Sequence, residues 1–433
     1  MLDRALAAAS VDLEAIEDAL RAAMLLWGGR LLGKLLETIG SGRRGVPVVC
    51  KCGERMESRG RSGKVLSTML GEVSWRRSVF RCPACGATRC PGDEELDVVG
   101  TRYSPGLRRM MARAGSKTPF REASKDLDFY AGVKVSAKAV ERVSESVGEQ
   151  IAAWCESEHE SSVRQYEQES PDTDKTIRTL YIELDGTGVP MVRHELAGRK
   201  GKQPDGSART REVKVGCVFT QTTVDEKGRA VRDPDSTTYI GKIEQAADFG
   251  HRLFAESVRR GLSQAERVVI LGDGAAWIRN IVETHFPHAV HIIDLYHARE
   301  HVAALAKALY PNSEKKARYH RHRWWTQLDN GAIETIVRAA QRRIKTHPEL
   351  SDRVRTEINY LHNHKEKMRY DKFRDQGLFI GSGIIEAACK NLIGQRLKQS
   401  GMEWSLRGAN SIISLRCAQK SNRLNDYWEQ RVA

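Results

Sequence analysis

The sequence predicts an α/β core carrying a long helical stretch, with a cysteine-rich β segment and three short helices ahead of it. Three observations predict this. From about residue 179 short β-prone runs are joined first by turns and then by helical periods. From about 300 to 430 the apolar spacing is almost wholly helical. Between 46 and 98, cysteines cluster among short β-prone runs. The 433 residues exceed one domain of about 150 residues, and 40% hydrophobic content suffices for real cores. The formal net charge of +14 points to a polyanionic partner, most commonly nucleic acid.

The first segment, 1–45, holds an amphipathic helix over 11–40. Leu13, Ile16, Leu20, Trp27, Leu31 and Leu35 fall near one face, and Gly28-Gly29 weaken it. That stripe reads as core packing, with self-association as the sharper alternative. Segment 46–99 carries Cys50-Lys-Cys52-Gly and Cys82-Pro-Ala-Cys85-Gly. Two cysteine pairs some thirty residues apart, each followed by Gly, read as a zinc ribbon. The rival reading is a zinc-free fold of β-hairpins.

Segment 100–155 has three helix starts, at Ser104-Pro105, at Thr118-Pro119 with Glu122 in the first turn, and at Ser136. Three short helices suggest a helix-turn-helix unit, with Lys134, Lys138 and Arg142 facing DNA from the last. Residues 156–178 are polar and acidic and read as a linker.

Segment 179–299 has strand candidates at Leu180 to Leu184, Val213 to Gln221, Ser236 to Ile240, Arg267 to Leu271 and Ala289 to Ile293. Helical patterns fall at about 246–261, 275–284 and 294–309. Three hairpin-like strands followed by β-α-β is the order of an RNase H-like mixed sheet, in which the first and fourth strands are neighbours. Two almost wholly helical stretches, 300–376 and 377–433, complete the chain.

Asp185 ends the first strand and Asp273 the fourth, each followed by Gly. Side by side, two carboxylates repel, which favours a divalent cation between them. A third acid from a later helix is Glu386, in Gly-Ser-Gly-Ile-Ile-Glu-Ala-Ala-Cys-Lys, with Ser382 as helix cap. Lys390 lies one turn on, and Gln395, Arg396 and Lys398 extend a basic surface suited to phosphates. The run from Lys315 to Trp325 mixes Arg318, Arg321 and Arg323 with Tyr and Trp. It suits DNA backbone contact with stacking, or equally a solvated basic face with Trp behind it.

These segments, with Asp-Leu-Tyr-His-Ala-Arg-Glu-His after the fifth strand and Gly-Gln-Arg-Leu-Lys-Gln-Ser-Gly-Met-Glu-Trp-Ser near the end, resemble bacterial insertion-sequence transposases of the Kra-type DDE group, related to the Mutator-like superfamily. The resemblance runs from about residue 46 to the C-terminus. It implies an RNase H-like core, interrupted by an α-helical insertion at 300–376, with Asp185, Asp273 and Glu386 as the catalytic triad. Two Mg²⁺ or Mn²⁺ ions between them would drive cleavage at element ends and strand transfer. Asp294-Leu-Tyr-His297 resembles the Asp-x-x-His motif of Mutator-like transposases, so His297 joins the candidate site. The family pattern has Cys-x-x-Cys at both zinc knuckles. Here Val49 stands in the first cysteine's place, Cys50 comes one position late, and Cys90 is a substitute ligand.

The partners implied are double-stranded DNA, as terminal inverted repeats and as target, and further copies of the chain. No apolar run nears the ~20 residues of a membrane span and no signal-peptide pattern opens the chain. A cytoplasmic, nucleoid-associated protein with reduced cysteines is therefore expected. The competing functions are a catalytically inactive transposase-derived DNA-binding protein and a structure-specific RNase H-like nuclease.

Overall fold

Asp12 accepts the Ala15 N–H at 3.2 Å and so starts the first helix, α1 (Leu13–Ile39). A computed structural model describes residues 12–42, 45–168, 176–201, 203–349 and 352–431 of the chain. They form two units, Met1–Val147 and Gly148–Ala433.

In the first unit, α1 lies against the hairpin of β1 (Glu57–Thr68) and β2 (Gly71–Arg81), to which β3 (Thr88–Arg89) adds a short third strand. Trp75, Leu36, Leu66, Val73 and Val98 make the core between them. The Trp75 indole N–H donates to Gly40 O at 3.2 Å. The glycines of α1 are its contact point: a Cβ on Gly29 would lie 2.8 Å from Leu70 O. The face expected to be core is not the covered one. Leu13, Leu20, Trp27, Leu31 and Leu35 are exposed, and Ile16 is only half-buried.

After the short α2 (Pro91–Glu95) come α3 (Pro105–Lys117), α4 (Phe120–Ala131) and α5 (Ala137–Gln168). The Ser104 hydroxyl accepts the Leu107 N–H, and the Ser136 hydroxyl accepts the Ala139 N–H, both at 3.2 Å. Helix α5 continues through Gln168, so residues 156–168 are helical rather than a linker. The rest of the expected linker, up to 175, lies outside the described residues.

The second unit is built on a five-stranded sheet. Its strands are β4 (Ile177–Pro190), β5 (Thr210–Gln221), β8 (Thr238–Lys242), β9 (Ala265–Gly272) and β10 (Val290–Ile293). The small hairpin of β6 (Thr223–Val224) and β7 (Ala230–Val231) lies outside it. The order is β10-β9-β4-β5-β8. Strands β4, β5 and β8 pair antiparallel, while β9 runs parallel to both β4 and β10. The first and fourth strands of this sheet are therefore neighbours.

Helices α6 (Ala246–Arg259) and α7 (Ala276–His285) cover one face, over Leu180, Ile182, Leu184, Val218 and Ile270. On the other face Tyr181 stacks on Phe219 at 4.9 Å, with Phe379 edge-on to both.

Helix α8 (Leu295–Leu309) leaves β10 directly. It leads to α9 (Glu314–Asp329), α10 (Ile333–Thr346), α11 (Asp352–Asn363) and α12 (Tyr370–Asp375). The chain then returns to the sheet with α13 (Gly383–Ala388), a π-helical segment Cys389–Gly394, α14 (Gln395–Leu397), α15 (Leu406–Lys420) and α16 (Leu424–Gln430). Among the described residues no helix is long and apolar enough to cross a membrane.

Candidate functional site

Asp185 sits where two pairings part. The parallel ladder with β9 ends at Glu183 opposite Leu271, while pairing with β5 continues through Asp185 to Pro190. Asp185 is thus inside a longer strand, not at its end as expected. Asp273 follows β9 directly, two residues past that last parallel pair, so the two carboxylates belong to adjacent positions on neighbouring strands. Asp185 accepts the Gly186 N–H at 2.7 Å, and Asp273 accepts the Ala275 N–H at 2.8 Å. Burial raises the Asp185 pKa above the usual carboxylate range. Hydrogen bonds from Cys389 and Gly186 oppose that rise, and the Asp273 charge adds to it. Gly274 has φ +81°, and a Cβ there would meet both Ile293 and the Tyr360 hydroxyl at 2.9 Å.

The helix carrying Glu386 is held by two other acids. Asp294 caps α8 by accepting the His297 N–H at 2.7 Å. Its second oxygen accepts the Ser382 N–H at 2.6 Å and the Ser382 hydroxyl at 2.9 Å. Ser382 therefore does not cap α13 with its side chain, as the sequence suggested, but donates to Asp294. Glu183, fully buried, accepts the Ile385 N–H at 2.8 Å, and its other oxygen has no partner among the described residues. Burial pushes the Glu183 carboxyl up to about 8. The Glu386 carboxylate itself is exposed and paired with Lys390 at 2.5 Å. It does not converge with Asp185 and Asp273 into a group of ligand atoms within 4.8 Å of one another.

Sequence reasoning missed a chain of partners beside Asp273. His297 and His301 contact through their Nε2 atoms at 3.2 Å, and His301 Nδ1 meets Glu357 at 2.6 Å. Tyr360 stacks on His301 at 3.7 Å and donates its hydroxyl to Asp273 O at 2.7 Å. Burial, then the Asp273 charge, keeps that phenol protonated. The signal was faint: His301 follows His297 by one turn, but Glu357 and Tyr360 come from α11, more than fifty residues on.

The basic candidates divide. Lys134, Lys138 and Arg142 are exposed at the start of α5, Lys138 beside Glu141 at 2.5 Å. Lys398 is exposed and reaches Thr187, two residues past Asp185. Lys390 is exposed, paired with Glu386. Arg318 and Arg323 are exposed, Arg318 pairing with Glu314 at 3.1 Å. Arg321 is half-buried over Trp325 at 5.1 Å, while Trp324 is in the core. Arg396 corrects the sequence reading. It is fully buried with its guanidinium over Trp404 at 5.0 Å, so it offers nothing to a phosphate.

The first unit holds a second constellation. Cys50, Cys52, Cys82 and Cys85 bring their sulfurs within 4.8 Å of one another. Cys50 lies 3.5 Å from Cys85, and Cys52 lies 3.5 Å from Cys82. Four sulfurs at about 2.3 Å from a tetrahedral zinc stand about 3.8 Å apart, so this donor set fits such an ion. The late first cysteine, Cys50, is accommodated by a tighter turn. Gly53 N donates to Cys50 O at 3.0 Å across three residues, where Gly86 N reaches Cys82 O across four. The Cys85 and Ala84 N–H groups stabilise the Cys82 thiolate, holding its pKa down to about 7 against the effect of burial. Cys52 receives the Glu54 N–H, yet the neighbouring Cys50 and Cys82 sulfurs push its thiol up to about 12. Cys90 is outside the group. It precedes α2 as its N-terminal residue, and burial raises its thiol. The four cysteines can hold a metal such as zinc.

Three comparisons bear on this chain. A model described as "Uncharacterised protein family (UPF0236)" matches residues 52–430. A UPF0236 protein in the vanSb 3′ region of Streptococcus gallolyticus is 22% identical over 386 residues, covering 87% of this chain and 75% of that protein. A UPF0236 protein of Caldanaerobacter subterraneus subsp. tengcongensis, whose name joins eleven locus designations, is 23% identical over 370 residues, covering 83% of this chain and 68% of its own. Among solved structures, the Drosophila P element transposase strand transfer complex matches at TM-score 0.26 and 9% identity, over 78% of this chain and 83% of that one. A likeness that low bears on neither fold nor activity. The family match spans most of the chain from the cysteine knuckles onward, and the protein is a member of the UPF0236 family.

Proposed function

We propose that this protein is a DNA transposase whose RNase H-like core cleaves element ends and joins them to target DNA. The observation that carries the reading is the pairing of Asp185 and Asp273 on adjacent strands of a β10-β9-β4-β5-β8 sheet, with the Glu386 helix anchored to the same strand through Glu183. That strand order, with three antiparallel strands beside two parallel ones, is the order of an RNase H-like sheet. The motif resemblance supports the same triad. A relative named by eleven locus designations in one bacterium fits a gene carried on a self-multiplying element.

Asp185, Asp273 and Glu386 would hold Mg²⁺ or Mn²⁺. The mutual repulsion that helps to raise the Asp185 pKa is what a divalent cation relieves. When bound, such ions supply a Lewis acid for the attacking water or 3′-hydroxyl and for the leaving oxygen. Lys398, over Thr187, would take a phosphate oxygen beside the aspartates. His297, oriented through His301 and Glu357, would donate to the DNA backbone. Lys134, Lys138 and Arg142 would bind DNA from the first unit.

The test is an end-cleavage and strand-transfer assay with the DNA flanking the gene. Asp185→Asn, Asp273→Asn and Glu386→Gln should each abolish both steps while leaving DNA binding intact. Glu183→Gln is the demanding comparison. At neutral pH a Glu183 held up to about 8 is largely protonated, and a Gln oxygen still accepts the Ile385 N–H, so activity should survive. Near wild-type cleavage by any of the three triad variants would reject the reading.

A further inference from the structure

Helix α1 is apolar on two faces, and its own unit covers only one. Gly29, Leu32 and Leu36 lie on the side that packs on the hairpin. Leu13, Leu20, Met24, Trp27, Leu31 and Leu35 are each 50–74% exposed. At 100° per residue these six project within a sector of about 80°, on the side away from the hairpin. From Leu13 to Leu31 the steps are seven, four, three and four residues, the a/d spacing of a coiled-coil seam.

We infer that a second copy of this chain covers this stripe, with the two α1 helices antiparallel. The seam itself says which partner and which direction. Besides the apolar residues, the heptad register puts Glu17 and Lys34 on the seam, both exposed, and neither has an ion-pair partner among the described residues. Parallel pairing would bring Glu17 against the partner's Glu17 and Lys34 against the partner's Lys34, which is repulsive at both positions. Antiparallel pairing with Leu20 against the partner's Leu31 sets Met24 against the partner's Trp27. It also sets Glu17 against the partner's Lys34, and two-fold symmetry makes that ion pair twice. The helix is about 40 Å long. Six large apolar side chains from each copy bring on the order of 1,000 Å² to the seam, the size at which a specific interface begins. The inference does not depend on the proposed activity.

The test is sedimentation equilibrium on the full chain. Wild type should have twice the 48.6 kDa chain mass at roughly 50 µM. Leu20→Asp combined with Leu31→Asp should give 48.6 kDa with an unchanged circular dichroism spectrum, because both positions are exposed on the single chain. Glu17→Lys or Lys34→Glu alone should weaken association about tenfold at low salt. Combining the two should restore it. A monomeric wild type overturns the inference. So does a dimer that survives the double Asp change, or one whose affinity ignores the single charge reversals.

Discussion

Replacing Asp185 with Asn should stabilise the metal-free protein while removing its response to metal. Adjacent strands lie about 4.8 Å apart, so carboxylates rooted two residues past the last Glu183–Leu271 pair on each strand can approach to about 5 Å. Two like charges at that distance repel by about 1–3 kcal/mol for an effective dielectric between ~80 and ~20. The Asn oxygen can still accept the Gly186 N–H, so the substitution removes repulsion and little else. For a unit of this size, that gain corresponds to a rise in Tm on the order of 5 °C. The assay is thermal melting of chelated protein with and without Mn²⁺. Wild type should melt lower in chelator and gain on adding Mn²⁺, whereas the variant should melt higher in chelator and gain nothing. An Asp185→Asn protein that melts lower than wild type in chelator, yet still gains with Mn²⁺, would refute both the repulsion and the ligand assignment.

The cysteine group should carry about one zinc per chain by metal analysis, lost when Cys82 and Cys85 are both changed to Ser, with the first unit unfolding on chelation. Glu256, fully buried, accepts from His159, Arg259 and Thr238, and although burial opposes it, His159 and Arg259 hold its carboxyl well below the usual range. Its contribution to stability is present above the unfolded value of 4.5 and lost as pH falls below it. Glu256→Gln should therefore cost about 3–5 kcal/mol at pH 7 and flatten the acid limb between pH 5 and 3 in urea titrations; parallel curves would count against it. Lys138→Ala with Arg142→Ala should weaken end binding and lower the magnitude of its salt slope by about 2, since two exposed cations leave the phosphate contacts; an unchanged slope would move the DNA surface elsewhere.

The strands and helices of the second unit were legible because local chemistry agrees with the fold. The expected helix 246–261 is Ala246–Arg259, and the expected strand 267–271 is Ala265–Gly272. The Ser104 cap and the Ser136 hydrogen bond were read from side chains that act within one turn. What was not legible depends on partners far along the chain. An apolar stripe on α1 says that a face wants cover, not which face its own hairpin takes, and the glycines that looked like a weakness are the close approach. Arg396 looked like one more cation in a basic run, but a turn eight residues on brings Trp404 over it. Cys50 and Cys52 looked misplaced because spacing was compared with a four-residue knuckle, while a shorter turn reaches the same sulfur geometry. Glu183 looked like a neighbouring acid on a strand; only the fold brings the Ile385 N–H to it from two hundred residues away.

Under the proposed function, the Glu386–Lys390 pair decides how the third acid reaches the other two. Both side chains are mostly exposed, 61% and 72%, so the pair stabilises the fold by no more than a few tenths of a kcal/mol. The helix that carries Glu386 is six residues long, lacks a side-chain cap and runs straight into a π-helical segment, a local geometry often found at functional sites. Its backbone is pinned at Ser382 by Asp294 and at Ile385 by Glu183, leaving the carboxylate free to swing about a fixed root. Under the proposed function, Glu386 would leave Lys390 for the aspartates, and Lys390 would turn to a DNA phosphate. Lys390→Met should then leave Tm within about 1 °C of wild type, because an exposed pair is worth little. It should also tighten Mn²⁺ binding by up to about twofold, since Glu386 no longer has a competing partner worth a few tenths of a kcal/mol. DNA binding should lose about one phosphate contact, seen as a salt slope smaller in magnitude by about 1. Calorimetric titration with Mn²⁺ and binding measured against salt give both numbers. If Mn²⁺ affinity and salt slope are both unchanged, Lys390 is only a surface partner that neither competes with metal for Glu386 nor turns to a phosphate.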